Sequence, residues 1–385
     1  MKKQRKDLLA VIDKIGPQFA QKAAEHDEND TFVADNYSVL KEHNLLSACV
    51  PEEMGGGGVT HGEICRALRE LAHYCDSTAL ALSMHTHVVL AQLWNHLHGK
   101  PGRAVLEKVA ASELVLVSTG GRDWLDSNGD MEAVDGGYRV TARKFFASGC
   151  PAGNVVVTSA RFENPKEGKQ VLHFPVPMSA EGVSIVQDWK AMGMRATGSN
   201  SVVFDKVFVP EEAVVARRAQ GDFNPMWSMI ATVALPVFMS PYVGLAEAAA
   251  AIAIKEAARR KDDPAVPYLL GEMENSLTVA QMALEGMIAN ANDCDFEVSI
   301  EKANAALVRK TIAAKAVRET VDKALEAAGG SAFFRKVGLE RLVRDSYAAQ
   351  FHPLPEKKQQ LFTGRLALGL DPIAGELPEN RENVA

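Results

Sequence analysis

The spacing of apolar positions changes twice along the chain, and the two changes divide it into three. Near the start, Leu8, Leu9, Val11 and Ile12 fall on one helical face, and residues 35–50 (DNYSVLKEHNLLSACV) again carry apolar residues at helical spacing. Gly55 to Gly58 interrupt this pattern and predict a loop, because four glycines in a helix carry a heavy entropic cost. A phosphate cradle would need a preceding strand and a following Gly-Lys-Ser/Thr, so the loop reads as a flexible connector. Helical spacing resumes over 60–110 and includes a small-residue stretch at 77–87 that ends in His85 and His87.

At Leu114 the pattern turns to alternation. The segments 114–119, 131–149, 154–162, 171–178, 183–189 and 199–210 read as short strands, with a hairpin signal at Asp135-Gly136-Gly137. From Phe223 the chain returns to long helical patterns over 231–261, 262–293, 299–329 and 339–350. Pro236 and Pro241 predict an early bend or break in the first of these. The tail from about Asp371 is rich in Pro, Glu and Asn and reads as frayed. The expected class is α+β, in three parts: an N-terminal helical domain (1–113), a small β-barrel or sandwich domain (114–215) and a C-terminal four-helix bundle (216–385).

Composition narrows the functional classes. A chain of 385 residues can bury a large core, and 47% hydrophobic with 24% charged residues fits a globular protein. A net charge of −7 argues against a nucleic-acid or anionic-membrane partner. The five cysteines form no CxxC, so neither a disulfide framework nor a zinc site is indicated. The spacing of His85 and His87 puts them on different helix faces, against a shared metal site. The basic start is broken by Asp13 and Lys14, which fits an amphipathic helix rather than a signal peptide. No window reads as approaching a transmembrane span, and a reducing cytoplasm is the expected location.

The candidate chemistry centres on residues 325–370. A helix closes on Gly329-Gly330, an aromatic loop with Phe333 and Phe334 follows, and a second helix (LERLVRDSYAAQ) stops at Phe351-His352-Pro353. A glycine pair at a helix end is most often a plain cap, yet it also leaves backbone N–H groups free to meet an anion. The whole pattern resembles the cofactor loop and following helix of the acyl-CoA dehydrogenase superfamily. Other stretches resemble the same family: Pro51 to Gly58 its P-E-x-x-G-G-x-G, Val117 to Gly121 its T-E-P-x-x-G-S-D turn, and Lys144 to Gly149 its K-x-W-I-T-N-G. Met192 to Ser199, followed by FDKVFVP, resembles L-G-x-R-x-S-x-T with F-x-x-V-x-V-P, the most specific match. The resemblance spans nearly the whole chain.

That resemblance implies a flavin held between the β domain and the bundle. Ser118 and Thr119 would meet its pyrimidine edge, Phe146 would take the place of the stacking Trp, and Ser148 that of the hydroxyl near N5. Arg260, with Gly329 and Gly330 across a dimer, would hold the adenine end of FAD, which makes a homotetramer the expected assembly. Glu326 stands where the family has Gln, and a carboxylate near a pyrophosphate repels it unless it faces ribose or an Arg. FMN therefore stands beside FAD as a cofactor.

The departure from the family is at the base. The usual Glu after the Arg-Asp helix is replaced by Phe351-His352-Pro353, and no acid falls between Phe223 and Ala246, the other habitual position. His352 reads in three ways: a base, a hydrogen-bond donor beside the flavin as in the flavin monooxygenase branch, or a helix cap before Pro353. His85, by the same resemblance, is expected to face the flavin. The first expectation for function is α,β-dehydrogenation of an acyl-CoA thioester, with electrons passed from FAD to an electron-transfer flavoprotein. The rival is a two-component monooxygenase fed by a flavin reductase and acting on another small-molecule substrate. A third reading is a non-catalytic relative that binds flavin or acyl-CoA.

Overall fold

The computed structural model describes residues 7–119 and 126–373. Gly120 and Gly121 of the first expected flavin turn, and most of the tail, lie outside the described residues. The N-terminal part holds helices α1 (Leu8–Glu28), α2 (Ala34–Glu42), α3 (His61–Leu97) and α4 (Arg103–Ser112). Asp7 caps α1 by accepting from the N–H groups of Leu9 and Ala10, and Thr60 with Glu63 forms a capping box on α3. Cys75 breaks α3 with extended φ/ψ of −155° and 100°, so one helical pattern becomes two segments meeting at a kink. The glycine stretch before α3 is packed, contrary to the flexible connector expected. A Cβ on Gly56 would lie 2.2 Å from Val50 O, and one on Gly57 would lie 2.8 Å from Ala48 O.

The middle of the chain forms one sheet of β1 (Leu116–Ser118), β2 (Asp130–Val134), β3 (Gly137–Lys144), β4 (Val155–Asn164), β5 (Gly168–Pro177), β6 (Val183–Val186), β7 (Ser201–Pro210) and β8 (Ala216–Ala219). The order is β6-β7-β3-β2-β4-β5-β8, with β1 parallel to β4. The hairpin falls where the Asp-Gly signal put it: Val134 pairs with Gly137 across Asp135-Gly136. Alternation along β3 buries Tyr138, Val140, Ala142 and Lys144 and exposes Arg139, Thr141 and Arg143, giving the sheet its own core around Phe174 and Phe204. β8 pairs with β5 through Ala216–Ala219, so the sheet runs four residues beyond the expected boundary at 215.

The C-terminal part is built on α5 (Pro225–Ala257), α6 (Val266–Ala291) and α7 (Ile300–Ala328). α5 is apolar on every side, which suits a helix with neighbours all round, and it packs against α3, α6 and α7. Within Pro225–Arg260 an 18-residue window is long and apolar enough to cross a membrane, against the reading that no window approaches a span. That window is 94% buried inside the protein, as a core helix is. α5 also runs unbroken through Pro236 and Pro241. Here the Thr232 and Ser240 hydroxyls donate to Ser228 O and Pro236 O one turn back, both at 2.8 Å, and the surrounding helices hold the backbone in register. The expected fourth helix is shorter. α8 covers Leu339–Ser346, a 3-10 turn follows over Tyr347–Phe351, and α9 (Glu356–Ala367), unread in the sequence, completes the bundle.

Candidate active site

A cavity of about 2220 Å³ opens where the sheet meets α3, α5 and the 344–355 segment. Its sheet side carries Ser118, Thr119, Phe146 and Ser148, four of the residues expected to meet the flavin. The Thr119 hydroxyl lies 3.1 Å from that of Thr158. Ser148 begins a hydroxyl chain, 2.7 Å to Ser199 and then 2.6 Å to Thr197. Phe146 adopts φ +58°, which is rare for a bulky residue. The turn leaves its ring 56% exposed in the cavity, edge-on to Trp189 at 5.8 Å. An exposed and a half-buried aromatic side chain beside a row of hydroxyls suit a planar, hydrogen-bonding ring system. Trp189 ends the expected strand 183–189 and is not among the residues expected to meet the flavin.

The opposite wall holds two imidazoles, those of His352 and His87. His352 lines the cavity at the end of the Tyr347–Phe351 turn, half-buried, with its Nε2 2.8 Å from the Tyr242 hydroxyl. Tyr242 comes from α5, is fully buried, and has no other hydrogen-bond partner described. The assignment that leaves its O–H paired has Tyr242 donating to Nε2, which puts the imidazole proton on Nδ1. The Phe238 ring sits 5.4 Å from His352 and 4.8 Å from His87, so the two histidines flank one aromatic ring. Burial pulls the pKa of His352 down to about 3 and that of His87 to about 4, so both imidazoles are neutral near pH 7. Among the described residues lining the cavity, the only carboxylate is Asp126, an exposed side chain next to the sheet.

His85 does not join this wall. It is 2% exposed, its Nε2 donates to Leu46 O at 2.8 Å, and its Nδ1 accepts from Leu116 N at 3.0 Å. Both nitrogens are spent, Nε2 tying α3 to the segment after α2 and Nδ1 tying it to β1, the strand that carries Ser118, and the cavity-facing histidine of the pair is His87. Two positions along a helix turn a side chain by about 200°, so one parity choice decides the matter.

The Arg-Asp of α8 is structural. Asp345 is buried, accepts from the Met194 N–H and lies against Asp76 at the α3 kink. Burial first, and Asp76 next, hold its carboxyl well above the usual carboxylate range. Arg344 binds Asp27 of α1 and Glu340, and its backbone oxygen leaves no room for a Cβ on Gly193. Arg195 reaches Ala191 O and pairs with Asp30, away from the cavity. The two strongest motifs thus clasp one another at the cavity wall, which both help to line.

Arg260, Gly329 and Gly330 come together at the other end of α7, outside the cavity lining. Arg260 donates to Ala327 O, and Gly329 adopts φ 73°, ψ −167°, a conformation open essentially to glycine alone. Glu326 pairs with Lys323 at 3.2 Å, so its carboxylate is directed at that lysine. Phe333 and Phe334 beside this loop are 82% and 62% exposed. Among the described residues no cluster of three or more His, Cys, Asp or Glu is placed to hold a metal ion, and all five cysteines are buried and free.

Comparison with known proteins agrees with this architecture. Residues 10–113 match the acyl-CoA dehydrogenase N-terminal domain and residues 237–356 the acyl-CoA dehydrogenase C-terminal domain. The chain is 27% identical to the amino sugar nitrososynthase DnmZ of Streptomyces peucetius, covering 94% of this chain and 93% of that one. It is 25% identical to HsaA, the oxygenase subunit of a flavin-dependent monooxygenase from Rhodococcus jostii, over 93% and 97% of the two chains. The structure of a KijD3 in complex with FMN and dTDP-3-amino-2,3,6-trideoxy-4-keto-3-methyl-D-glucose superposes with a TM-score of 0.85 at 26% identity, covering 96% of each chain.

Proposed function

Because this chain belongs to the acyl-CoA dehydrogenase superfamily, as a divergent member with a histidine in place of the usual acid, we propose that it is a flavin-dependent monooxygenase of that fold. Bound in reduced form, FMN or FAD would supply the electrons that activate O₂ for transfer of one oxygen atom to a small-molecule substrate. Phe146 and Trp189 would face the flavin rings, with Ser118, Thr119 and Ser148 hydrogen-bonding their polar edges. The observation that carries the proposal is the Tyr242–His352 pair standing opposite them, with no described carboxylate on that wall. Removing an α-proton from a thioester calls for a strong, correctly placed base. A neutral imidazole whose pKa lies near 3 is a poor one, which counts against dehydrogenation.

The same imidazole serves well as a hydrogen-bond donor. With Nε2 engaged by Tyr242, its Nδ1–H is the group free to meet an oxygen atom in the cavity. His87, on the far side of Phe238, offers a second neutral imidazole to the substrate. Apolar neighbours such as Met84, Val88 and Ile230 would limit water at the reacting atoms. A flavin reductase is the partner this reading requires. The exposed Phe333-Phe334 loop, beside Gly329 and Arg260, supports assembly with further copies of the chain and an adenine-end contact made in trans. The test is to supply the protein with FMN, a flavin reductase, NADH and ¹⁸O₂ together with a panel of candidate substrates. One ¹⁸O atom per product molecule is expected, and products formed with no oxygen from O₂ would overturn the proposal.

A further inference from the structure

Beneath the loop that carries His352 lies a buried lysine. Lys310 sits in the middle of α7 and is 1% exposed. Its Nζ donates to three backbone carbonyls of one short segment: His352 O at 2.7 Å, Leu354 O at 3.2 Å and Gln350 O at 3.4 Å. An ammonium has three protons, and here each has an acceptor in the stretch that turns from the 3-10 helix into α9. Those carbonyls are the ones a helix end leaves without partners, and their neighbours Pro353 and Pro355 lack an N–H, so the segment has little means of ordering itself.

We infer that Lys310 is a positioning residue: its ammonium clamps the 350–354 segment and thereby sets the His352 ring against Tyr242 and the cavity. The inference rests on the reading that His352 is a working group of the site. Burial pulls the lysine pKa down to about 7, while the three carbonyls favour the charged form. On losing a proton the amine keeps two donors for three acceptors, so the clamp loosens as pH rises through the lysine's titration. The titratable and charged groups around it are the neutral His352 on the clamped segment and, in the shallow cleft alongside, Lys315, Arg318, Glu319, Asp322 and Lys323 of α7 and Glu356 of α9.

The experiment is nitrogen and carbon NMR of the full chain, labelled at lysine and histidine. In the wild type, the ring and carbonyl signals of His352 should move with the same midpoint as Lys310 Nζ, although the imidazole itself stays neutral over that range. Lys310→Met should replace the single ring tautomer by a mixture, and Lys310→Arg should restore most of the wild-type ring signal. With a substrate in hand, Lys310→Met should lower kcat at least tenfold with KM within twofold. Independent midpoints in the wild type overturn the proposal even if the methionine variant fails to fold, as do unchanged ring signals in a folded Lys310→Met. Because the spectra need no turnover, they separate a failure of the clamp from a failure of the monooxygenase reading.

Discussion

Replacing Tyr242 by Phe deletes one oxygen atom and leaves the ring that fills the core of α5. The deleted hydroxyl is the only described partner of His352 Nε2, at 2.8 Å. A typical hydrogen bond contributes about 0.5–1.5 kcal/mol net, and a buried acceptor stripped of its donor costs about 1–3 kcal/mol. His352 is half-buried and borders the cavity, where water can replace part of the lost bond, so a destabilisation of about 1–2 kcal/mol is expected. The variant should unfold at lower urea by that amount with an unchanged m-value. Its histidine-ring nitrogen spectrum should pass from the Nδ1–H form towards the mixture of an unconstrained imidazole. Oxygen transfer to substrate should slow by roughly 5- to 30-fold, the same energy expressed as a rate, while flavin affinity stays within twofold. An unchanged tautomer together with unchanged urea stability would refute the reasoning, because the hydroxyl would then not be what orients the ring.

Phe146→Ala should raise the dissociation constant for FMN roughly tenfold by fluorescence titration, since an aromatic contact contributes about 0.5–1.5 kcal/mol beyond its buried area; equal affinity would return Phe146 to a purely structural part. Asp345→Asn should flatten part of the fall in stability as pH rises above about 4, because a carboxyl held above its usual range by burial and Asp76 keeps its proton more readily folded than unfolded, and identical pH profiles for variant and wild type would contradict this. His85 has its folded pKa lowered to about 4, against about 6.5 in the unfolded chain, so the unfolded state takes up a proton first as pH falls. The stability due to neutral His85 is complete above about pH 6.5 and is lost towards pH 4, by about 2 kcal/mol at pH 5. Urea unfolding of His85→Phe should show a shallower loss between pH 7 and pH 5 than the wild type, and parallel curves would contradict the assignment.

The order of helices, sheet and bundle was legible because periodicity is a local property and its two changes, near Leu114 and Phe223, are abrupt. Four flavin-facing candidates, Ser118, Thr119, Phe146 and Ser148, also line one cavity, since each lay in a short motif whose ends are fixed by strands. The failures have a common physical origin. Choosing His85 over His87 needed the direction of a helix face, which depends on what α3 packs against. Tyr242 and Lys310 meet the His352 segment across 110 and about 40 positions of sequence, and neither carries a local signal. Lys310 in particular reads as one more charge on a polar-looking helix, and only its burial marks it out. Pro236 and Pro241 misled for the opposite reason: their local cost is real, but tertiary packing carried α5 through it.

The measurement that reaches the central claim most directly is an anaerobic titration of the flavin-loaded protein with acyl-CoA thioesters of graded chain length. The visible absorbance of the oxidised flavin should persist through the whole panel, because among the described residues no carboxylate stands opposite the ring to take the α-proton. Stoichiometric bleaching by any one of these thioesters would contradict it, and would make His352 or an unrecognised acid the base of a dehydrogenase.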